Sequence, residues 1–164
     1  MDDLEAADAI HDLMADVGHA VWSLQEVETT LATYLVLRLQ GSFGMGEAKA
    51  SELLSKATDR TMGSVLRELT RSGVLESGLG NRLATLAEER NWLVHRARRE
   101  RRRLLIDGRE RQELSARCGR IADDALALLH DVAAALEDHV VASGVSREWI
   151  ERESEKRARE LGLL

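Results

Sequence analysis

None of the 164 residues is proline. Proline is the residue that most reliably interrupts a helix, because it lacks the amide proton and its ring clashes with the preceding turn. A chain without it, rich in Ala, Leu, Glu and Arg, reads as long uninterrupted helices. Aromatic residues make up only 3%, which argues against a sandwich or barrel. Hydrophobic residues at 44% supply a core, and the length suits one domain spanning 1–164. The one cysteine, Cys118, excludes an intrachain disulfide and any zinc site built from several cysteines. No apolar run approaches the roughly 20 residues of a membrane span, so no membrane partner is expected. The acidic start Met1-Asp2-Asp3-Leu4-Glu5 is the opposite of a secretory signal. The expectation is an all-α, soluble, cytoplasmic chain.

The apolar residues are spaced for helices. Ile10, Leu13, Val17, Ala20, Leu24, Val27, Leu31 and Tyr34 recur in steps of three and four, which predicts a helix from about Leu4 to Gln40. Gly18 is a point where it can bend or divide. Three glycines in Gly41-Ser42-Phe43-Gly44-Met45-Gly46 break the pattern. Shorter helices follow over Glu47–Ala57 and Thr61–Arg71, the second with Met62, Val65, Leu66 and Leu69 apolar and Gly73 as its stop. A longer one is predicted over Glu76–Arg103, striped by Leu79, Leu83, Leu86, Arg90, Leu93 and Ala97. Arg90 thus stands where the stripe calls for an apolar residue. Asp107-Gly108 reads as a turn. The next helix, Glu110–Ala142, carries Leu114, Cys118, Ile121, Ala125, Leu128, Val132 and Leu136, and Gly144 ends it. Ser146 can cap a last helix to about Leu161. With no repeat and no low-complexity linker, the segments are expected to pack as an up-down bundle of about five helices.

Most chemical motifs fail on inspection. The glycine loop at 41–46 has the outer spacing of a P-loop, but Glu47-Ala48 stand where Lys-Ser/Thr must follow, and a helix rather than a strand precedes it. His11 and His19, or His130 and His139, do not have the four-residue spacing of a helical zinc site. Asp123-Asp124 lack the Glu-x-x-His partners of a di-iron bundle. We therefore expect no metal and no cofactor. Trp22, Trp92 and Trp149 are most economically read as core or subunit packing, and Cys118 as a small buried core residue.

The segment Glu89-Arg90-Asn91-Trp92-Leu93-Val94-His95-Arg96 remains. Arg-x4-His alone is expected about 0.6 times by chance, and about 0.01 times once Asn must follow the arginine. Asn91 and His95, four apart, lie on one helix face. Arg90 is about 100° round from Asn91, partly on the buried stripe, where a lone guanidinium is costly. A carboxylate from another helix, with Glu26 and Glu28 as candidates, a subunit interface or a bound phosphate would each justify it. The net charge is −6, yet nine arginines fall between Arg90 and Arg111 and the first twenty residues contain no Lys or Arg. That unevenness suggests a local anion-binding face.

Arg90-Asn91-Trp92-Leu93-Val94-His95 resembles the hallmark of the HEPN family, the all-helical higher-eukaryote-and-prokaryote nucleotide-binding domain: Arg-x4–6-His, commonly with a polar residue straight after the arginine. The order of helices over residues 10–142 is similar to that family as well. The resemblance implies a helical homodimer that brings two motifs together and a metal-independent ribonuclease or RNA-binding module. It further implies a toxin or defence effector with a cognate antitoxin or regulatory protein. In that reading Arg90 stabilises phosphorane charge, His95 moves the proton, and Asn91 binds phosphate or orients His95. RNA carries its own nucleophile in the 2′-hydroxyl, so such a cleavage needs no metal. Arg96, Arg98, Arg99, Arg101, Arg102 and Arg103 continue from the motif and are read either as a solvated helix end or as an RNA-backbone surface, with Arg96, Arg98, Arg99 and Arg102 as the contacts. No aromatic is interleaved among them, so sequence-specific single-strand binding is not expected. The alternative is a catalytically inactive homodimer acting as a protein interaction module, with Arg90 and His95 as interface or core polar residues.

Overall fold

The computed structural model describes residues 3–42, 44–95 and 107–164. Among these are six α-helices and no strand, the all-α fold that the absence of proline predicts. They are α1 (Asp3–Leu35), α2 (Glu47–Thr58), α3 (Met62–Arg71), α4 (Ser77–His95), α5 (Gly108–Ala142) and α6 (Arg147–Glu160). The chain forms two compact units, Met1–Val132 and Ala133–Leu164.

In the first unit α1 is the central element. It packs on α2 and α3, and α3 packs on α4. Its stripe buries Leu13, Ala20, Leu24, Val27, Leu31 and Tyr34, while Ile10 and Val17 are half-buried. Gly18 neither divides nor ends this helix. It sits in open space on the outer face, where its modest helix cost of about 0.5–1 kcal/mol is outweighed by the stripe continuing on either side. The helix widens at Val36–Gln40 into a π-helical turn, closed by the Gly41 amide donating to the Val36 carbonyl at 2.6 Å. Gly44 and Gly46 then take φ of 81° and 79°, a region other residues rarely adopt, and this turns the chain into α2.

Local signals end and start the next helices. Thr61 caps α3 by accepting from the Ser64 amide at 3.3 Å, and Gly73 ends it with φ of 69°. The Tyr34 hydroxyl donates to the Val74 carbonyl at 3.0 Å, which ties α1 to the connection entering α4. Helix α4 buries Leu83, Leu86 and Leu93, and α5 buries Leu114, Cys118, Ile121, Ala125, Leu128 and Val132, each a stripe position. The part of the predicted fourth helix beyond His95 lies outside the described residues.

In the second unit, Ser146 caps α6 by accepting from the Trp149 amide, and Arg147 bonds Glu137 and Asp138. Of the three tryptophans read as packing residues, none is in the core: Trp22 is 66% exposed, Trp149 is 49% exposed, and Trp92 is half-buried. Trp22 and Trp92 fall off the apolar stripes of α1 and α4, where burial is decided, and the helix that carries Trp149 buries no residue.

Candidate functional site

The last two turns of α4 carry the motif and divide it between two faces. On the inner side, Arg90 interrupts the stripe and reaches α1, where its Nε donates to Glu28 Oε1 at 2.9 Å. The two side chains are 29% and 25% exposed, so the pair is largely but not fully withdrawn from water. Of the two carboxylates that could answer Arg90, the helix selects Glu28. It lies four residues after Leu24 and three before Leu31, along the edge of the buried stripe, whereas Glu26 points to solvent. The bond to Glu28 engages one of the five N–H donors of the guanidinium, and the other four are on Nη1 and Nη2.

On the outer side, Asn91 and His95 line an open hollow together with Glu88 and Trp92. These four are spaced i, i+3, i+4 and i+7, which puts them on one face of the helix. Arg90 and His95 are five residues apart and so diverge by about 140° around the axis. The structure therefore brings Asn91 and His95 together and directs Arg90 to a different side.

A second set of contacts fixes this end of α4 against α5. Arg117 grips Glu89 with two hydrogen bonds, Nε to Oε2 at 2.8 Å and Nη2 to Oε1 at 3.0 Å. Its guanidinium lies over the Trp92 ring, 3.3 Å from the centroid. Fork-to-fork pairing with a carboxylate and stacking on an indole are the two geometries for which a planar guanidinium is suited. At the next residue, the Cys118 thiol is fully buried, and burial first, then the nearby Asp16 charge, raise its pKa, while Arg117 works the other way.

The motif assigns no functional role to Glu88, Glu89, Trp92 or Arg117. The signal for the first and third was the spacing from Asn91 and His95. The Glu89–Arg117 pair spans 28 residues, and no local pattern reports it. Arg96, Arg98, Arg99 and Arg102 lie outside the described residues. Among the described residues no group of three His, Cys, Asp or Glu side chains is placed to share a metal ion, and no helix is long and apolar enough to cross a membrane. Comparison of the chain with protein-family models, curated proteins and solved structures gives no match.

Proposed function

We propose that the chain is a metal-independent, HEPN-type endoribonuclease that works as a homodimer, with Arg90, Asn91 and His95 as its active groups. The observation that carries the reading is the division of the motif on α4. An imidazole and an amide face an open hollow, while the arginine five residues earlier is held by Glu28 through its Nε. Arg90 and His95 of one copy diverge by about 140°, so a second copy with its own α4 alongside supplies the complementary pair.

The chemistry follows from the side chains. A 2′-hydroxyl attacks the neighbouring phosphorus, a P–O2′ bond forms and the P–O5′ bond breaks, leaving a 2′,3′-cyclic phosphate and a 5′-hydroxyl. Imidazole gains and loses a proton near neutral pH, so one His95 takes the 2′-hydroxyl proton and His95 of the second copy delivers one to the 5′-oxygen. Arg90 bears against the negative charge that develops on the phosphorane oxygens. The arginines at 96, 98, 99 and 102, which follow the motif in sequence, bind phosphates of the RNA backbone. A nuclease of this type is a toxin or defence effector in the cytoplasm, restrained by a cognate antitoxin or regulatory protein. The test is cleavage of single-stranded RNA by the purified chain in EDTA, abolished by His95→Ala.

One observation favours the alternative, an inactive dimeric interaction module. Arg90 already has a carboxylate, and the Arg90–Glu28 pair accounts for an arginine on the stripe without any phosphate. In that case the wild type is harmless on expression and cleaves no RNA.

A further inference from the structure

We propose that the outer face of α4 reads an unpaired guanine base, with the Trp92 indole as platform and the Glu88 carboxylate as the group that recognises the base edge. This rests on the reading of the chain as an RNA-binding protein and goes beyond it by naming what the hollow takes.

Of the hollow lined by Glu88, Asn91, Trp92 and His95, the Glu88 end, two turns from His95, presents a carboxylate, which repels phosphate. An RNA strand lying here therefore turns a base, not its backbone, toward Glu88 and Trp92. Trp92 is suited to hold that base. The Arg117 guanidinium is stacked on the ring at 3.3 Å, and Arg117 is itself anchored through two bonds to Glu89. An indole fixed from one side gives up little side-chain freedom when a base stacks on it. Such stacking requires the base to be unpaired.

The choice of base comes from hydrogen bonding. Guanine offers two adjacent donors on its Watson–Crick edge, N1–H and N2–H. Adenine and cytosine pair one donor group with a ring acceptor, and uracil flanks one donor with two carbonyls. An ionised carboxylate is acceptor-only and has two oxygens side by side, so Glu88 matches guanine alone. It lies one turn before Trp92 on the same face, and Asn91 between them adds an amide that both donates and accepts. His95, one turn further on the same face, then lies beside the nucleotide whose base is held. The arginine segment lacks an aromatic in its sequence, whereas α4 carries Trp92, so base recognition belongs to the helix face.

The experiment uses the full chain and 2′-O-methyl RNA 12-mers, which lack the nucleophile. One is oligo(A), one has a single central G, one has inosine at that position, and one is the G strand in a duplex. Binding is measured by fluorescence anisotropy for the wild type, Glu88→Gln, Trp92→Leu and Trp92→Phe, with helical circular dichroism on each. The wild type is expected to bind the G strand about 10-fold more tightly than the inosine or A strands and the duplex, as one bidentate contact plus a stack implies. Glu88→Gln removes the preference for G, Trp92→Leu weakens every single strand about 10-fold, and Trp92→Phe retains most of the binding. Equal affinity for G, inosine and A strands and for the duplex overturns this proposal and leaves RNA binding standing. Absence of binding to any strand overturns the RNA reading and this proposal with it. The inosine and Glu88→Gln arms decide the matter even if Trp92→Leu does not fold.

Discussion

The Arg90–Glu28 pair gives a prediction whose size follows from its burial. Side chains 29% and 25% exposed place it between exposed ion pairs, which contribute about 0–1 kcal/mol, and fully buried ones, where loss of a partner costs about 3–5 kcal/mol. Glu28→Gln keeps the shape of the side chain and removes its charge, leaving Arg90 partly desolvated with a weaker acceptor. The expected loss is about 1–2 kcal/mol, and for a chain of this size that lowers the melting temperature by about 3–6 °C. Arg90→Met, which removes the opposite charge, should cost a similar amount. In the double variant no charge is left stranded, so the double-mutant cycle should give a favourable coupling of about 1 kcal/mol between the two sites. The assay is urea unfolding followed by circular dichroism, with wild type, both single variants and the double variant side by side. Coupling within error of zero, with both single variants as stable as wild type, would refute the claim that Glu28 holds Arg90 on the stripe.

Leu83 is fully buried on α4, so Leu83→Ala should destabilise by about 3 kcal/mol, whereas Trp22→Ala, at a position 66% exposed, should change stability by no more than about 0.5 kcal/mol in thermal melts. The Cys118 thiol should react with a disulfide reagent orders of magnitude more slowly in the folded chain than in urea. Because its pKa is raised on folding, the folded state holds the thiol proton more tightly. Its contribution to stability is complete below the usual thiol value of about 8.5 and is lost as pH rises toward the raised one, a decline that Cys118→Ala should remove from the stability–pH curve. Replacing Arg98, Arg99 and Arg102 together by Glu should weaken RNA binding and reduce the slope of log affinity against log salt by about 2, with the bundle's circular dichroism unchanged.

The fold was legible because burial in this chain follows one periodic rule. Every stripe position on α3, and those on α5 from Leu114 to Val132, are buried, as the three-four spacing requires. The exceptions are instructive. Gly18 does not break α1, because the apolar stripe that holds the helix resumes within one turn. The π-helical turn at Val36–Gln40 has no sequence signal, since it depends on one amide, that of Gly41, reaching five residues back. At the site, Arg90 announces itself as a charge on the stripe, and its carboxylate, Glu28, is one of the two first-helix candidates for it. Trp92 did not announce itself. A tryptophan off the stripe has many possible partners, and the one it has, Arg117, lies 25 residues further along the chain on another helix. Contacts of that range are set by how α4 and α5 cross, which composition and periodicity leave open.

Cleavage itself is the most direct test of the central claim. The full-length wild type and His95→Ala are incubated with a mixed-sequence single-stranded RNA in EDTA, and the 3′ ends of the products are analysed. The account predicts cleavage by the wild type that persists in the chelator, products ending in 2′,3′-cyclic phosphate, and loss of at least about 100-fold in rate for a His95→Ala variant with unchanged helical circular dichroism. Undiminished cleavage by His95→Ala, or intact RNA with the wild type, would contradict it.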